Sequence, residues 1–349
     1  MRNPIVEEDL GRIASAALPW PRLAGKTVLI TGGAGFLPAY MVETLLYLNE
    51  KEPGRGTKVI ALVRNQPKAA ARFAHYAGRA DLSILAQDVC QPLPMDLKAD
   101  FIIHAASQAS PKFYGRDPVG TLSANTLGTA HLLELARGRG CEGFLYFSSG
   151  EVYGQVAENE IPISEERMGY MDPAQVRSCY GESKRMGETM CVAWAQQHHV
   201  PTRIVRPFHT YGPGMSLDDG RVFADFVADI VQGRDIVMKS DGRARRAFCY
   251  LADAVAGFFT VLLRGEDATP YNIGNENGEC GIRELAERLV RLFPEKNLKV
   301  VYHPMTDTQD YLASKVSRNC PETSRVRGLG WRATTGIDEG FRRTVRSFQ

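Results

Sequence analysis

The sequence predicts an α/β fold built around a doubly wound parallel sheet, followed by a smaller mixed α/β domain. Short, continuously apolar runs alternate with longer segments of helical periodicity between residues 26 and 207. Apolar strands separated by helices are typical of a parallel sheet that is covered on both faces. After residue 207 the elements become shorter and are separated by glycine- and proline-containing loops, which predicts the smaller second domain.

The individual elements follow from these runs in order along the chain. The predicted strands are 26–30, 58–63, 82–86, 101–106, 143–148 and 202–207. The predicted helices are 36–50, 118–138 and 177–199. The first 25 residues contain acids and lack a continuous apolar core, so they predict a short amphipathic helix on the outside of the fold rather than a signal peptide.

Composition and charge exclude several classes of function. The chain has 349 residues, a net charge of +2 and 44% apolar residues, which gives no reason to expect nucleic acid or a membrane surface as a partner. No apolar stretch is long enough to span a bilayer. The seven cysteines form no CxxC pair and the seven histidines no HExxH motif, so neither a disulfide framework nor a metal site is expected. We therefore expect a reduced, cytoplasmic protein without a metal.

A glycine-rich turn joins the first strand to the first helix in VLITGGAGFLPAYMVETLL. Gly32, Gly33 and Gly35 would let the backbone approach a pyrophosphate, which the helix N-terminus also favours. A tight turn without a ligand is the alternative, but the position between strand and helix favours a Rossmann-type dinucleotide site. Pro38 stands where a third glycine is usual. Because proline is tolerated in the first helical turn, we expect a slightly shifted helix that still binds the cofactor.

With this turn at the start of the dinucleotide-binding domain, we expect three regions along the chain. Residues 1–25 form an N-terminal extension, and residues 26–206 form the Rossmann-type dinucleotide-binding domain, with returning segments near 236–262. Residues 207–349 then mainly bind the substrate.

The end of the second strand bears on the choice between NAD and NADP. An acidic residue usually contacts the adenosine ribose of NAD there, whereas this chain has Arg64 in ALVRNQ. An arginine suits the 2′-phosphate of NADP, and stacking of Arg64 on the adenine is the alternative. Asp88, in QDV after the third strand, is expected beside the adenine. These residues leave NAD and NADP both open.

A tyrosine and a lysine lie four residues apart in RSCYGESKRMGETM, on a predicted helix. This spacing places Tyr180 and Lys184 on one helix face. A nearby ammonium group lowers the pKa of a phenol, which would make Tyr180 a base at neutral pH; a surface pair is the alternative. The segment FSSGEVYG ends the preceding strand, and such strand ends face the ligand crevice. The side chains expected to meet at the nicotinamide are those of Ser148, Ser149, Glu151 and Tyr180.

Together with these motifs, the chain resembles the extended short-chain dehydrogenase/reductases that modify nucleotide-activated sugars. The resemblance runs from about residue 26 to 348 and includes HAASQASPKFYGRDPVGTLSANTLGTAHLLELA, RPFHTYGPG, DDGRV, RRAFCYLADA, YNIGN and LGW. Within this family the chain is most similar to UDP-glucuronate decarboxylases, which share the ASxAS-P, RSCY-E-KR--ETMC and DGRV stretches. The resemblance implies an enzyme that oxidises C4 of a nucleotide sugar with bound NAD, acts on the 4-keto intermediate and usually returns the hydride.

The resemblance also implies roles for individual residues. Tyr180 would remove the proton of the C4 hydroxyl, Lys184 would hold the nicotinamide ribose, and Ser149 would hydrogen-bond the C4 oxygen. Glu151 would handle a proton at C5. The implied cofactor contacts are Gly32, Gly35, Phe36, Leu37, Arg64, Asp88, Val89, Ala105, Ala106, Ser107, Tyr180 and Lys184.

Gly150 departs from the family pattern. Dehydratases of the family carry an aspartate at this position that protonates the departing C6 hydroxyl, and decarboxylases carry a serine that helps to hold the sugar carboxylate. A glycine disfavours simple 4,6-dehydration and leaves Glu151 as a C5 proton shuttle. The alternative is that Gly150 only relaxes the loop.

At the substrate end, the resemblance implies that Arg246 binds the diphosphate, with Arg221 of DDGRV as a second candidate. A solvated loop is the alternative for the arginines of SDGRARR. His209 stands where relatives carry asparagine and would donate to the diphosphate or the sugar. Arg318 aligns with an arginine that decarboxylases place near the sugar carboxylate, and Ser110 completes the implied substrate contacts.

The expected reaction is decarboxylation of a UDP-uronic acid. Epimerisation or 4,6-dehydration of a nucleotide sugar is the alternative, and a non-catalytic, NAD(P)-binding regulatory protein is a distant one. In relatives, the helices that correspond to 118–138 and 177–199 form a four-helix bundle between two subunits. We therefore expect a homodimer.

Overall fold

Strands and helices alternate along most of the chain in the computed structural model, which describes residues 2–94, 96–303 and 316–349. The strands are β1 (Thr27–Thr31), β2 (Lys58–Val63), β3 (Leu82–Ala86), β4 (Phe101–His104), β5 (Gly143–Phe147), β6 (Thr202–Pro207), β7 (His209–Tyr211), β8 (Ile236–Met238), β9 (Arg245–Tyr250), β10 (Thr269–Ile273), β11 (Glu279–Gly281), β12 (Val300–Tyr302) and β13 (Arg318–Asn319). The α-helices are α1 (Pro4–Ala14), α2 (Phe36–Lys51), α3 (Gln66–Arg72), α4 (Lys112–Arg116), α5 (Pro118–Arg139), α6 (Cys179–His198), α7 (Val222–Val231), α8 (Leu251–Arg264), α9 (Ile282–Leu292), α10 (Ser324–Gly328) and α11 (Ile337–Arg346).

Seven strands form one sheet in the order β10-β6-β5-β4-β1-β2-β3. Every neighbouring pair in this sheet is parallel. The chain starts in the middle at β1, winds out to β3 and returns through β4 to the opposite side. The strand order therefore reverses between β1 and β4, which confirms the predicted doubly wound fold and places a ligand crevice at the carboxyl ends of these strands.

The apolar runs explain where these strands form. All residues of β1, β4 and β5 are buried, as expected for strands that are covered by helices on both faces. Two strands end earlier than predicted, at His104 and Phe147, because the residues that follow turn toward the crevice. Helix α6 begins at Cys179 rather than at residue 177, since Val176–Ser178 form a short 3₁₀ turn before it.

The two long helices α5 and α6 pack side by side, as predicted. Asn125 Nδ2 donates to Ser183 Oγ at 3.0 Å, and Trp194 Nε1 donates to Glu134 Oε1 at 3.0 Å. Asp117 caps the N-terminus of α5 by accepting a hydrogen bond from Gly120 N at 3.0 Å. The contacts between the two helices hold α6 against α5 and so help to fix the position of the tyrosine and the lysine that α6 carries.

The second region is mixed, as predicted. Strands β7, β9, β11 and β13 form a small sheet with parallel and antiparallel pairs, and β8 pairs with β12. The predicted returning segment at 236–262 contains α8, which lies on β5, β6 and β10 of the large sheet, whereas β8 and β9 of that segment belong to small sheets. Strand β10, which lies beyond the predicted segment, supplies the seventh strand of the large sheet.

The N-terminal extension contains the predicted helix, α1. Asn3 caps it by accepting from Ile5 N at 2.9 Å, and Pro4 starts the helix. Asp9 is buried and accepts hydrogen bonds from Tyr250 Oη at 2.6 Å and from Arg343 at 2.9 Å. The extension is therefore tied to α11 and to the small sheet. Among the described residues, no helix combines the length and the apolar composition that crossing a membrane requires.

Candidate active site

The carboxyl ends of the central strands open into a cavity of about 500 Å³. It brings together the glycine-rich turn, the end of β5, the start of α6 and the loop before α7. The predicted site residues that line it are Gly32, Gly35, Phe36, Leu37, Arg64, Asp88, Val89, Ala105, Ala106, Ser107, Ser110, Ser148, Ser149, Glu151, Tyr180, Lys184, His209 and Arg221. Of the described residues that were predicted for the site, Gly33, Arg246 and Arg318 do not line this cavity.

The glycine-rich turn is tightly folded against the sheet. Gly32 has a φ of +65°, a conformation that favours glycine, and a Cβ there would lie 2.9 Å from the Cα of Ala106. Gly35 N donates to Gly32 O at 2.7 Å, and Gly33 N donates to Leu62 O at 3.2 Å. Pro38 lies in the first turn of α2, where a missing N–H breaks no helical hydrogen bond. The turn thus leads directly into the helix N-terminus.

The residues around this turn fit a dinucleotide. The N-terminus of α2 carries no side-chain cap, so its first N–H groups are available to an anion such as a pyrophosphate. Within the described residues, the buried Ser107 Oγ has no hydrogen-bond partner, which leaves a donor at the lining of the cavity. Arg64 is exposed beside it, and Asp88 Oδ1 accepts from Cys90 N at 2.9 Å.

The glycine turn provides a first test of this fit. Because a strained backbone conformation costs of order 1–3 kcal/mol, we expect Gly32→Val to weaken the binding of NAD about tenfold or more. Isothermal titration calorimetry with NAD measures this change. Gly328→Ala, at the end of α10 where a Cβ would meet nothing within 4 Å, is the matched control. An unchanged affinity in Gly32→Val would contradict a cofactor site at this turn.

Tyr180 and Lys184 lie one turn apart at the start of α6, and both side chains line the cavity. Lys184 Nζ lies 5.8 Å from the centre of the Tyr180 ring and donates to Phe147 O at 2.6 Å. The predicted lowering of the phenol pKa is wrong in this structure. Burial raises the pKa of Tyr180 to about 12, although a hydrogen bond with Ser149 acts in the opposite direction. Burial also lowers the pKa of Lys184 to about 7, since it disfavours the charged form of both groups.

Glu151 is held by an arginine that the sequence analysis did not identify. Arg177 NH2 donates to Glu151 Oε2 at 2.9 Å. The carbon of the same guanidinium lies 4.9 Å from the centre of the Tyr114 ring. Tyr114 in turn stacks on Tyr180, with ring centres 5.0 Å apart and planes 15° apart. The carboxylate and the phenol therefore share one set of neighbours.

A buried ionic network lies beneath the end of β5. Ser148 Oγ donates to Glu188, and Arg206 binds both carboxylate oxygens of Glu188, at 2.8 and 2.6 Å. Arg206 also donates to Tyr153 Oη at 3.0 Å, and Tyr153 donates to Asn272 Oδ1 at 2.5 Å. The network links β5, α6, β6 and β10, so it fixes the loop that carries Ser149. The sequence analysis missed the pair of Arg206 and Glu188, because nothing in the sequence links an arginine and a glutamate that lie in two separate elements.

Gly150 packs against an aromatic ring. A Cβ at this position would lie 3.3 Å from three ring atoms of Phe208, which also lines the cavity. Such a contact is tight, and a longer polar side chain would require the ring to move. Because Gly150 has no side chain, the ring of Phe208 can lie directly against this part of the loop.

The far end of the cavity contains polar groups without partners. Within the described part of the chain, the buried atoms His209 Nδ1 and Asn319 Oδ1 have no hydrogen-bond partner. Burial and the nearby Arg246 and Arg221 lower the pKa of His209 well below its ordinary value, so the imidazole is neutral. Ser110 Oγ donates to Asp219 O, and Arg221 is paired with Asp219. This end can accept a polar ligand group.

Two of the predicted substrate arginines have other contacts. Arg318 Nε and NH2 donate to the two carboxylate oxygens of Glu279, at 2.6 and 3.0 Å. Arg246 donates to backbone oxygens of Arg245 and Val316, each at 2.8 Å. Because successive side chains of a strand point to opposite faces, Asn319 lines the cavity while its neighbour Arg318 does not.

The lining residues that were missed from the sequence include Tyr114, Phe208 and Asn319. Tyr114 and Phe208 were read only as parts of longer matching segments, and Asn319 only as the neighbour of Arg318. Aromatic residues are common in such segments, so only the stacking of Tyr114 and the packing of Phe208 in the fold show that they belong to the site. Asn319 could have been found from strand alternation, had the short strand β13 been predicted.

Residues 28–274 match the model of the NAD dependent epimerase/dehydratase family. The chain belongs to this family. Membership confirms the predicted enzyme class, and NAD as its cofactor. Within the described residues, no group of three or more His, Cys, Asp or Glu side chains is arranged to hold a metal ion.

Individual relatives agree with the family. UDP-glucuronic acid decarboxylase 6 of Arabidopsis thaliana is 35% identical over 316 residues, which are 90% of this chain and 86% of the relative. This likeness confirms the resemblance to UDP-glucuronate decarboxylases.

Solved structures show the same fold. UDP-glucose 4-epimerase of Thermotoga maritima, with UDP-glucose, has a TM-score of 0.78 at 22% identity and covers 92% of this chain and 98% of its own. UDP-glucuronic acid 4-epimerase of Bacillus cereus, in complex with UDP-glucuronic acid and NAD, has a TM-score of 0.75 at 19% identity and the same coverage. Both likenesses confirm the fold class.

Proposed function

We propose that this enzyme decarboxylates a UDP-linked uronic acid, with UDP-glucuronate as the first candidate, through transient oxidation at C4. The observation that carries the proposal is the meeting of Ser149, Glu151, Tyr180 and Lys184 in one cavity next to the glycine-rich turn. The likeness to a UDP-glucuronic acid decarboxylase over nine-tenths of the chain supports the choice of substrate.

The chemistry requires little more than positioning and proton transfer. The residues that line the cavity beside the glycine-rich turn would hold NAD, which would supply the hydride acceptor and donor for C4 of the sugar. With a ketone at C4, the carboxylate on C5 belongs to a β-keto acid. Its C5–carboxyl bond breaks, CO2 leaves, and the bonding electrons pass to the C4 oxygen as an enolate. Protonation of C5 then restores the ketone, which is reduced to the product alcohol.

Each of these proton movements has a candidate residue. We propose that Tyr180 takes the proton of the C4 hydroxyl and returns it after reduction, while Ser149 donates a hydrogen bond to the C4 oxygen. Lys184 would hold the nicotinamide ribose. Glu151 would supply the proton to C5, since its carboxyl group lines the cavity together with Ser149 and Tyr180.

The substrate end would hold the nucleotide diphosphate. We propose that the neutral His209 and Ser110 contact the sugar or diphosphate, and that Arg221 and Arg246 supply positive charge. Arg318 would bind the sugar carboxylate only after releasing Glu279. Residues 207–349 would then be the mainly substrate-binding region, with residues 26–206 and the returning segments holding NAD.

The experiment that tests the proposed function is mass spectrometry of nucleotide sugars incubated with the enzyme and NAD. UDP-glucuronate, UDP-glucose and dTDP-glucose form the panel. We expect UDP-glucuronate alone to lose the mass of CO2. Loss of water from either glucose derivative would contradict the proposal and assign a dehydratase instead.

Epimerisation of a UDP-uronic acid is the second candidate. Two observations favour it: Gly150 provides no side chain to hold the substrate carboxylate, and Arg318 is paired with Glu279 rather than free. In that case UDP-glucuronate would keep its mass and appear as a new isomer in the proton NMR spectrum. The same incubation therefore separates the two reactions.

We also propose a homodimer that forms through α5 and α6. Five exposed apolar side chains lie on these helices: Val119, Leu122, Leu127, Met186 and Val192. Exposed apolar residues on two adjacent helices favour packing against the same pair of a second copy.

Disrupting this face should release the monomer. We expect Leu127→Glu, at a side chain that is 53% exposed, to convert the dimer into a monomer, because a carboxylate would be buried without a partner at the interface. Light scattering coupled to size exclusion gives the mass. Tyr302→Glu, at an exposed apolar residue outside these helices, is the control and should leave the dimer intact. A monomeric wild-type protein would contradict the proposed assembly.

We place the enzyme in the cytoplasm. Its seven cysteines are free thiols, and six of them are buried, which suits a reducing compartment. A net charge of +2 supports neither nucleic acid nor a membrane surface as a partner.

A further inference from the structure

We propose that Arg177 is a positioning residue for proton transfer at C5, holding the Glu151 carboxyl group in place beside Tyr180. The inference rests on the proposed function and deepens it. Arg177 lies in the turn just before α6, and Glu151 lies in the turn after β5. The ion pair of 2.9 Å between them therefore joins the two segments that carry the reactive groups.

Contacts at both ends of the Glu151 side chain fix the orientation of its carboxylate. Glu151 N donates to Ser149 Oγ at 3.1 Å, which fixes the backbone at the base of the carboxylate. Arg177 fixes the other end by donating to Oε2, so the second carboxylate oxygen is left for a ligand in the cavity. Gly150 between Ser149 and Glu151 contributes no side chain that would share this task.

The same guanidinium also supports the phenol. It lies over the face of Tyr114, and Tyr114 stacks on Tyr180. The Tyr114 hydroxyl donates to Ala109 O at 3.0 Å, so the middle ring of the stack is itself held in place. A guanidinium over an aromatic face is attracted by the ring quadrupole. Arg177 thus acts on Glu151 by charge and on Tyr180 through Tyr114.

Partial burial gives the pair its strength. The side chain of Arg177 is 22% exposed and that of Glu151 is 33% exposed, so water screens the pair less than it screens an ion pair on the open surface. The titratable groups around Glu151 are Tyr114 on α4, Tyr180 on α6 and Arg177. Arg221 and Cys179 interact with members of the same set. Arg177 is the cation in direct contact with the carboxylate.

The test compares Arg177→Met with Arg177→Lys in the NAD-loaded enzyme. A general acid contributes about 10²–10⁴-fold to a rate, and loss of its positioning removes part of that, so we expect kcat of Arg177→Met to fall about 10- to 100-fold. KM should change less than threefold. Arg177→Lys keeps a cation next to Glu151, so we expect it to recover most of the lost kcat.

Arg185→Met is the matched control. Arg185 lies on the same helix and donates to Val152 O at 2.7 Å and Gly169 O at 2.9 Å, so it supports the same loop without touching Glu151. We expect this variant to lose thermal stability while keeping kcat within about threefold of wild type. If Arg177→Met and Arg185→Met behave alike, with equal losses of stability and the same kcat, Arg177 is only structural and the inference is overturned.

Deuterium oxide separates this inference from the proposed function. Deuterium incorporation at C5 of the converted nucleotide sugar reports proton delivery when the wild-type product has lost CO2 or is inverted at C5. A wild-type enzyme that inverts C5 would overturn decarboxylation yet still show the C5 defect in Arg177→Met. A wild-type product that is an isomer without deuterium at C5 would overturn both proposals. Normal C5 incorporation rates in Arg177→Met would overturn the role of Arg177 alone.

Discussion

Tyr180→Phe is expected to lower kcat by about 10²–10⁴-fold, the range that a positioned general acid or base contributes. The substitution removes the hydroxyl that would exchange a proton with the C4 oxygen and leaves the ring that stacks on Tyr114. The fold and the NAD affinity should therefore be those of wild type. Stopped-flow absorbance of the bound nicotinamide, with UDP-glucuronate as substrate, measures the step directly.

Tyr114→Phe is the matched control for this prediction. It removes a hydroxyl that donates to Ala109 O and preserves the stacked ring, so we expect kcat within about threefold of wild type. A Tyr180→Phe variant with wild-type kcat would show that another group handles the C4 proton. It would also remove the basis for assigning this cavity as the active site.

Glu188→Ala is expected to lower the free energy of unfolding by about 3–5 kcal/mol, the cost of leaving one member of a buried ion pair alone. Arg206 is almost fully buried and binds both oxygens of Glu188. Without that carboxylate its charge has no ionic partner within the network under β5. Chemical denaturation of the NAD-free protein measures the change.

A double variant and a variant of an exposed ion pair provide the controls for this prediction. Replacing both residues, as Glu188→Leu and Arg206→Met, should recover most of the lost stability, since it removes both buried charges. Arg342→Ala breaks the exposed pair with Glu339 and should change the free energy of unfolding by less than about 1 kcal/mol. Equal effects of Glu188→Ala and Arg342→Ala would contradict the structural importance of the buried network.

Most of the fold could be predicted because its signals are local. The apolar runs of β1, β4 and β5 and the glycine-rich turn each depend on neighbouring residues, and the structure places them as predicted. Strand β10 was not predicted, because TPYNI is short and contains proline, which weakens a strand signal. Its place at the edge of the sheet is set by pairing with β6.

The candidate site was predicted in outline for the same reason. The spacing of Tyr180 and Lys184 follows from helix geometry, whereas the raised pKa of Tyr180 depends on burial among residues from distant segments. Arg177 also escaped prediction, since its contact with Glu151 spans 26 positions of the chain. Arg318 was assigned to the sugar carboxylate because it aligns with an arginine of the decarboxylases. Its contact with Glu279 depends on the pairing of β13 with β9, which appears only in the structure.

The most direct measurement is the fate of UDP-glucuronate, labelled with carbon-13 in its carboxyl group, in deuterium oxide. We expect the label to leave as CO2 and the UDP-pentose to carry one deuterium at C5 and none at C4, because the hydride returns to the carbon that lost it. A product that keeps the labelled carboxyl group, with or without deuterium at C5, would contradict decarboxylation by this enzyme.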